Sequence, residues 1–207
     1  KYDEAIVWLD KALEIDAKWI RTFVVKGGTL KKLGKYDEAI VWYDKGLEID
    51  AKYVDLLNDK GTIYHDLKKY DEAIVWYDKG LEIDPKHIHA LHNKGNLFYE
   101  LKKPKEAIVW LDKALEIDPK YVSALNYKGV ILMDLKKYDE AIVWYDKALE
   151  IDPKYVYALH NKGLALANLE KFEDAIVWYD RVLEIDPNHK NSIKSKQLAA
   201  DAAKLDK

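Results

Sequence analysis

The chain contains no cysteine, which excludes disulfides, thiolate metal sites and thiol catalysis together. It has no excess of basic charge either. Lys plus Arg is 34 against 37 Asp plus Glu, so a general nucleic-acid or anionic-membrane binder is not expected. No apolar run approaches the roughly 20 residues of a membrane span. The opening KYDEAIVW is charged and lacks a signal-peptide pattern, so a soluble, cytoplasmic chain is expected. Serine stands only at 123, 192 and 195, without a nucleophile-elbow motif, and none of the nine glycines sits in a phosphate-cradling loop.

What the chain has in abundance is itself. KYDEAIVW occurs at 1–8, 35–42, 69–76 and 137–144, with KPKEAIVW at 103–110 and KFEDAIVW at 171–178. Every step is 34 residues, without insertion or deletion. Such spacing is kept by stacked units that each touch only their neighbours.

Each unit reads as two helices. In residues 70–83, Tyr70, Ala73, Ile74, Tyr77, Gly80, Leu81 and Ile83 fall on one apolar arc, with Trp76 at its edge. Pro104 marks the helix start. Asp-Pro at 84–85, 118–119, 152–153 and 186–187 marks the stop, and Asp-Ala at 16–17 and 50–51 a weaker one. In residues 88–101, Leu91, Gly95, Phe98 and Leu101 form the buried stripe. Gly27, Gly61, Gly95, Gly129 and Gly163 recur inside the first helices at a cost of roughly 1 kcal/mol each. Close approach of two helix backbones, against Ala39, Ala73 and their equivalents, is the expected reason. Twelve helices are predicted, near 2–15, 20–33, 36–49, 54–67, 70–83, 88–101, 104–117, 122–135, 138–151, 156–169, 172–185 and 190–204.

The unit Leu125, Gly129, Leu132, Tyr138, Ala141, Tyr145, Ala148 and Pro153 resembles the tetratricopeptide repeat, and the resemblance covers residues 1–189. The NKG run resembles archaeal or consensus-like arrays. The implied fold is all-α, a right-handed α-solenoid superhelix of antiparallel helix pairs. Its parts are a half repeat (1–19), five full repeats (20–53, 54–87, 88–121, 122–155 and 156–189), and a polar capping helix and tail (190–207). Two departures stand out. Lys26, Lys60, Lys94, Lys128 and Lys162 replace the more usual Leu, and Gly46 and Gly80 replace Ala, which predicts looser packing there.

No catalytic constellation is evident, so a non-enzyme is expected, without cofactor. The carboxylates recur on polar faces in every unit. His89 and His92 share a face with Asn93 and Asn96, but no third metal ligand is visible and no metal is expected. The Trp ladder is invariant from unit to unit, as a packing residue should be. Val7, Val41, Val75, Val109, Val143 and Val177 lie opposite the apolar arc and should be exposed, singly or as a row for lateral contact.

Variation between units points to the binding surface. In the family the first helices line a concave groove that receives a peptide. Carried over, the groove residues are Asp55, Asn58, Asp59, Thr62, His65, His89, His92, Asn93, Asn96, Tyr99, Asn126, Tyr127, Tyr157, His160, Asn161 and Leu164. Asn93 and Asn161 are the expected backbone-binding amides. The lysines that clamp a chaperone C-terminus in some members are missing: Val24, Asn58, His92, Asn126 and His160 occupy the first such position. A scaffold for a protein or peptide partner is therefore expected. A structural self-assembling repeat protein, natural or engineered, is the alternative. Ala5, Ile6 and Leu9 lack a preceding helix in the sequence, which predicts either fraying of 1–16 or a weak two-fold contact through the first helix.

Overall fold

The computed structural model describes residues 2–205. Lys1 of the opening KYDEAIVW and residues 206–207 of the tail lie outside the described residues. Twelve α-helices and no strand are present among those described: α1 Tyr2–Ile15, α2 Ile20–Lys32, α3 Tyr36–Ile49, α4 Val54–Asp66, α5 Tyr70–Ile83, α6 Ile88–Glu100, α7 Pro104–Ile117, α8 Val122–Asp134, α9 Tyr138–Ile151, α10 Val156–Asn168, α11 Phe172–Ile185 and α12 Lys190–Leu205. The fold is an all-α repeat solenoid. It forms two compact units, one reaching to Leu97 and one beginning at Phe98. In the first, α1, α2, α3, α4 and α5 pack in succession; in the second, α7 to α12 do the same.

Every predicted helix is present, within a residue of its expected ends. The second helices stop for one reason throughout. Asp16, Asp50, Asp84, Asp118, Asp152 and Asp186 each accept the N–H two residues on at 2.9–3.1 Å. This Asx turn acts with or without a following proline, so α1 and α3 end in the same register as the rest. First helices end one residue earlier than predicted. Lys68, Lys102, Lys136 and Glu170 adopt left-handed φ values of 59–61°, as Gly34 does at 74°. The amide of Lys69 bonds to the carbonyl of Tyr64 and that of Lys68 to His65, which is a Schellman closure.

The recurrent glycines have a different neighbour from the one expected. A Cβ on Gly27, Gly61, Gly129 or Gly163 would stand 2.1–2.6 Å from the ring of Tyr43, Tyr77, Tyr145 or Tyr179. Each glycine is a seat for a fully buried tyrosine on the second helix, not a backbone contact with the alanine. Gly46 is likewise tight, since a Cβ there would lie 2.5 Å from Leu56 Cδ1 and 3.1 Å from Phe23 Cβ; only Gly80 leaves ordinary room. The expected loosening at both positions is therefore absent at Gly46. The last Ile of the predicted apolar arc, Ile83, is 41% exposed, because the helix ends there and turns away from its neighbour.

Of the lysines that depart from the family pattern, three are buried and Lys128 and Lys162 are half-buried. Lys26, Lys60 and Lys94 retain 4–5% of their surface. Each pairs with an Asp sixteen residues earlier, on the preceding second helix: Asp10, Asp44 and Asp78, and in the second unit Lys128 and Lys162 pair with Asp112 and Asp146. The same ammonium lies 3.6–3.9 Å from the ring centroid of the Trp sixteen residues later for Lys26, Lys60, Lys128 and Lys162. Lys45, Lys79 and Lys147 approach the same tryptophans at 4.1–4.2 Å. An ammonium that gives up water is compensated by a carboxylate and by the π-face of indole. At Trp42, Trp76, Trp144 and Trp178 the Trp ladder is thus tied to the Lys departure, and these rings are taken up within the repeat.

In α1, Ile6 packs against the cluster of Leu30, Ala39 and Tyr43, while Ala5 and Leu9 are half-buried. Trp8 and Ile15 are 68% and 88% exposed. The valine row is 50–54% exposed, as the helical periodicity predicts.

Candidate protein-binding face

The sixteen residues expected on the first-helix face divide into several environments. In the first unit Asn93 Nδ2 donates to Asn58 Oδ1 at 3.0 Å, joining α6 to α4. Asn58 Nδ2 reaches Asp59 at 3.4 Å. Burial pushes the Asp59 carboxyl up to about 6, with Asp55 adding to the rise and Lys31, Asn58 and His87 opposing it. Asp55 pairs with His87 Nε2 at 3.0 Å, and Lys31 with Asp66 at 3.2 Å. Thr62 turns its hydroxyl back onto the Asp59 carbonyl. His65 packs edge-on against Tyr70, and the exposed His89 stands beside His87. Asn96 Oδ1 is buried without a donor.

The second unit repeats the asparagine pair, with Asn161 Nδ2 donating to Asn126 Oδ1 at 3.1 Å. Around it the chemistry is aromatic rather than acidic. Tyr127 is held above its usual pKa by burial, then by Glu100, Tyr155 and Tyr157. Tyr157 is exposed beside Tyr155 at 5.6 Å between ring centroids. Tyr99 donates its hydroxyl to Asp134. Leu164 is half-buried against the cluster of Leu166 and Tyr179. His160 faces Ser192 and His189.

Three residues expected to line an open groove are closed off: Asn58, His92 and Asn126 keep only 5–8% of their surface. Of the stripe expected over 88–101, Leu91 and Gly95 are buried but Phe98 and Leu101 are only half-buried; Ala90, Lys94 and Leu97 are buried instead, so the stripe is turned toward Leu97 rather than Phe98. This face therefore has two layers, with buried Asn58 and Asn126 holding the half-buried Asn93 and Asn161.

Sequence reasoning missed His87 and Ser192. A signal for the paired layer was present: Asn58 and Asn126, and likewise His92 and His160, stand 68 residues apart, so the first helices alternate with a two-repeat period. Ser192 stands where the preceding units have Ala90, Ala124 and Ala158. Its Oγ lies 2.8 Å from His160 Nδ1, the distance of a nucleophile and its base, but the residue is wholly buried and closed to substrate. No group of three His, Asp or Glu among the described residues is placed to hold a metal ion. No helix among them is long and apolar enough to cross a membrane.

Tetratricopeptide repeat models match residues 53–120, 122–155 and 156–189, and a further model of the same repeat matches 27–67. The chain belongs to the tetratricopeptide repeat family. Among solved structures it is similar to YrrB, described as a tetratricopeptide repeat protein with an unusual peptide-binding site, at 25% identity over 91% of this chain and 97% of that one, with a TM-score of 0.62. It is similar to MamA at 26% identity over 76% and 92% of the two chains, with a TM-score of 0.64. A chain of the anaphase-promoting complex hetero-tetramer Cut9-Hcn1 shares the fold at 16% identity and a TM-score of 0.84, with 99% of this chain matching 40% of that one. A search of curated proteins gave no match. As a tetratricopeptide repeat array the chain is a protein-interaction scaffold. The glycine seats and the buried lysines are how this member builds the repeat.

Proposed function

We propose that the first-helix face receives a segment of a partner protein and that Asn93 and Asn161 bond its backbone. The role is that of a soluble, cytoplasmic, non-catalytic scaffold. One observation carries the reading. Each of these amides spends an N–H on a buried Asn of the preceding repeat, and no group among the described residues donates to its Oδ1. A rotationally fixed amide offers an acceptor, and a second N–H as donor, to an extended backbone. The unusual peptide-binding site described for YrrB supports a peptide as the ligand. Asp55 and Asp59 in the first unit favour a basic side chain, and Tyr127 and Tyr157 in the second favour an uncharged or aromatic one.

The test is a peptide-array screen followed by fluorescence anisotropy on the hits. Asn93→Ala and Asn161→Ala should each weaken binding about 3- to 10-fold, the worth of one net hydrogen bond. Each should also cost about 1 kcal/mol of stability, because a buried Asn58 or Asn126 oxygen loses its donor. Hits whose affinity neither substitution changes, in variants that remain folded, would place the partner elsewhere.

A further inference from the structure

One joint recurs along the array, and the structure holds two halves of it that do not meet. In the complete joint a first helix gives an apolar side chain and, three residues on, a lysine to the Trp of the second helix that follows. Phe23 packs on Trp42 at 5.9 Å between ring centroids, and Lys26 lies 3.6 Å from the same indole. A second lysine, Lys45 on the helix of Trp42 itself, approaches at 4.2 Å. The residues equivalent to Phe23 are Leu57, Leu91, Leu125 and Leu159, and all five keep only 1–5% of their surface.

α12 holds the first-helix half. Its inner side is made: Lys196 pairs with Asp180 as the other lysines pair with theirs, and Ala199 is buried against Leu166 and Tyr179. Its outer side is open. Ile193, in the place of Phe23, is 48% exposed. The Lys196 side chain is 38% exposed, against 5–14% for the five other lysines of this column. What is lacking is a Trp on the far side. α1 holds that half. Trp8 is 68% exposed and has the lysine of its own helix, Lys11 at 4.5 Å, but no ammonium from a first helix among the described residues. Residues 5–15 of α1 are identical to residues 107–117 of α7. Ala107, Leu111 and Ala114 are fully buried there, whereas Ala5, Leu9 and Ala12 are only half-buried. The same apolar side is thus filled in α7 and unfilled in α1.

We propose that α12 of one molecule docks on α1 of a second copy, whose Trp8 closes on Ile193 and Lys196. The register agrees. Trp8 of the second copy takes the place one 34-residue step beyond Trp178, so the period of the array continues across the contact without a shift. The joint also selects α1 among the second helices. Gln197 stands where Gly61, Gly129 and Gly163 stand in other first helices. A Cβ at those glycines meets the ring of a second-helix tyrosine at 2.4–2.6 Å, so α12 rejects a helix that carries the tyrosine. α1 carries Leu9 at that position, without the Cε1 and Cζ atoms of the ring. Apolar side chains leave water on both sides, and the half-exposed ammonium gains the indole face. Each copy uses a different surface, so the contact is heterologous and each pair leaves one α1 and one α12 open for further copies. The patch is small, which makes the association weak and concentration-dependent. Neither Asn93 nor Asn161 takes part, so this contact and peptide binding stand or fall separately.

Sedimentation of the full chain tests this. Its mean mass should rise with concentration, up to about 1 mM, and pass that of a dimer. Trp8→Lys disables the α1 side, and Ile193→Lys the α12 side, each by setting an ammonium against the joint. Either variant alone should associate at least about tenfold more weakly, because a Trp at the centre of a contact is its usual anchor. Mixed in equal amounts, the two should form a dimer and nothing larger, since one intact α12 and one intact α1 remain. A wild type that stays monomeric throughout overturns the proposal. So does an Ile193→Lys chain that dimerises like the wild type, which is a two-fold contact through α1. A mixture that stays monomeric while both variants keep the wild-type helix content in circular dichroism overturns it as well. Should a lysine variant lose helix content, Trp8→Ala and Ile193→Ala take its place under the same outcomes.

Discussion

At the scale of the residue, the same substitution has opposite consequences depending on what faces it. Gly61 and Gly80 are both helical glycines of the first unit, and helix propensity alone favours alanine at each by roughly 1 kcal/mol. At Gly80 the new methyl meets Val54 Cγ1 at 3.5 Å, an ordinary contact. At Gly61 it enters the Tyr77 ring at 2.5 Å, and that ring is fully buried with no free direction to move. Gly80→Ala should therefore raise stability by about 0.5–1 kcal/mol. Gly61→Ala should lower it by about 1–3 kcal/mol, the usual cost of overpacking. Urea unfolding of the two variants measures this, and a gain at Gly61 would mean the tyrosine seat is not what the glycine serves. The sequence marks Gly61 as special through its recurrence. It does not reveal the tyrosine, because that contact spans sixteen residues and the alanine column offers an equally regular partner.

At the scale of the element, helix position was legible and helix partnership only partly so. Pro104, the Asp stops and the 34-residue words locate all twelve helices, since each signal acts on its own turn of chain. The lysine column reads from the sequence as a departure from family habit. Its meaning lies in two contacts, one to the preceding second helix and one to the following Trp, that no local pattern contains. The asparagine pairs left only the two-repeat spacing of Asn58 and Asn126 as a trace, because each contact spans 35 residues. The lysine joint has an asymmetry that can be measured. Lys60 is buried, whereas the Asp44 side chain is 48% exposed. Lys60→Leu returns the joint to the common family residue and leaves a carboxylate that water can solvate, so it should cost less than about 1 kcal/mol. Asp44→Ala leaves a desolvated ammonium with the Trp76 face alone and should cost about 1–3 kcal/mol. Comparison of the two denaturation midpoints decides it, and a larger loss for Lys60→Leu would reverse the assignment of which partner depends on the other.

At the scale of the whole molecule, each helix draws its stability from the helices next to it in sequence, so protection should track local burial rather than a single global value. In the first unit the contrast is steep. α4 buries Leu56, Leu57, Asn58, Lys60, Gly61 and Ile63, and α5 buries Ala73, Tyr77 and Gly80, while α1 has only half-buried contacts such as Ile6 on the Leu30 and Tyr43 cluster. Lys26 holds α1 through Asp10, a carboxylate more than half exposed, and one such bond contributes little against the ordering of fourteen residues. Amides of α1 should exchange at least about 100-fold faster than those of α4 and α5 in dilute protein, a gap of roughly 3 kcal/mol in local opening free energy. Repeating the measurement across protein concentrations separates the two fates expected for this helix. Protection that stays low at every concentration is fraying. Protection that rises with concentration reports a second copy seated on the exposed Trp8 and Ile15, and Trp8→Lys should then remove the rise. If α1 exchanges as slowly as α5 even in dilute protein, local burial does not govern opening in this array, and the nearest-neighbour account of its stability fails.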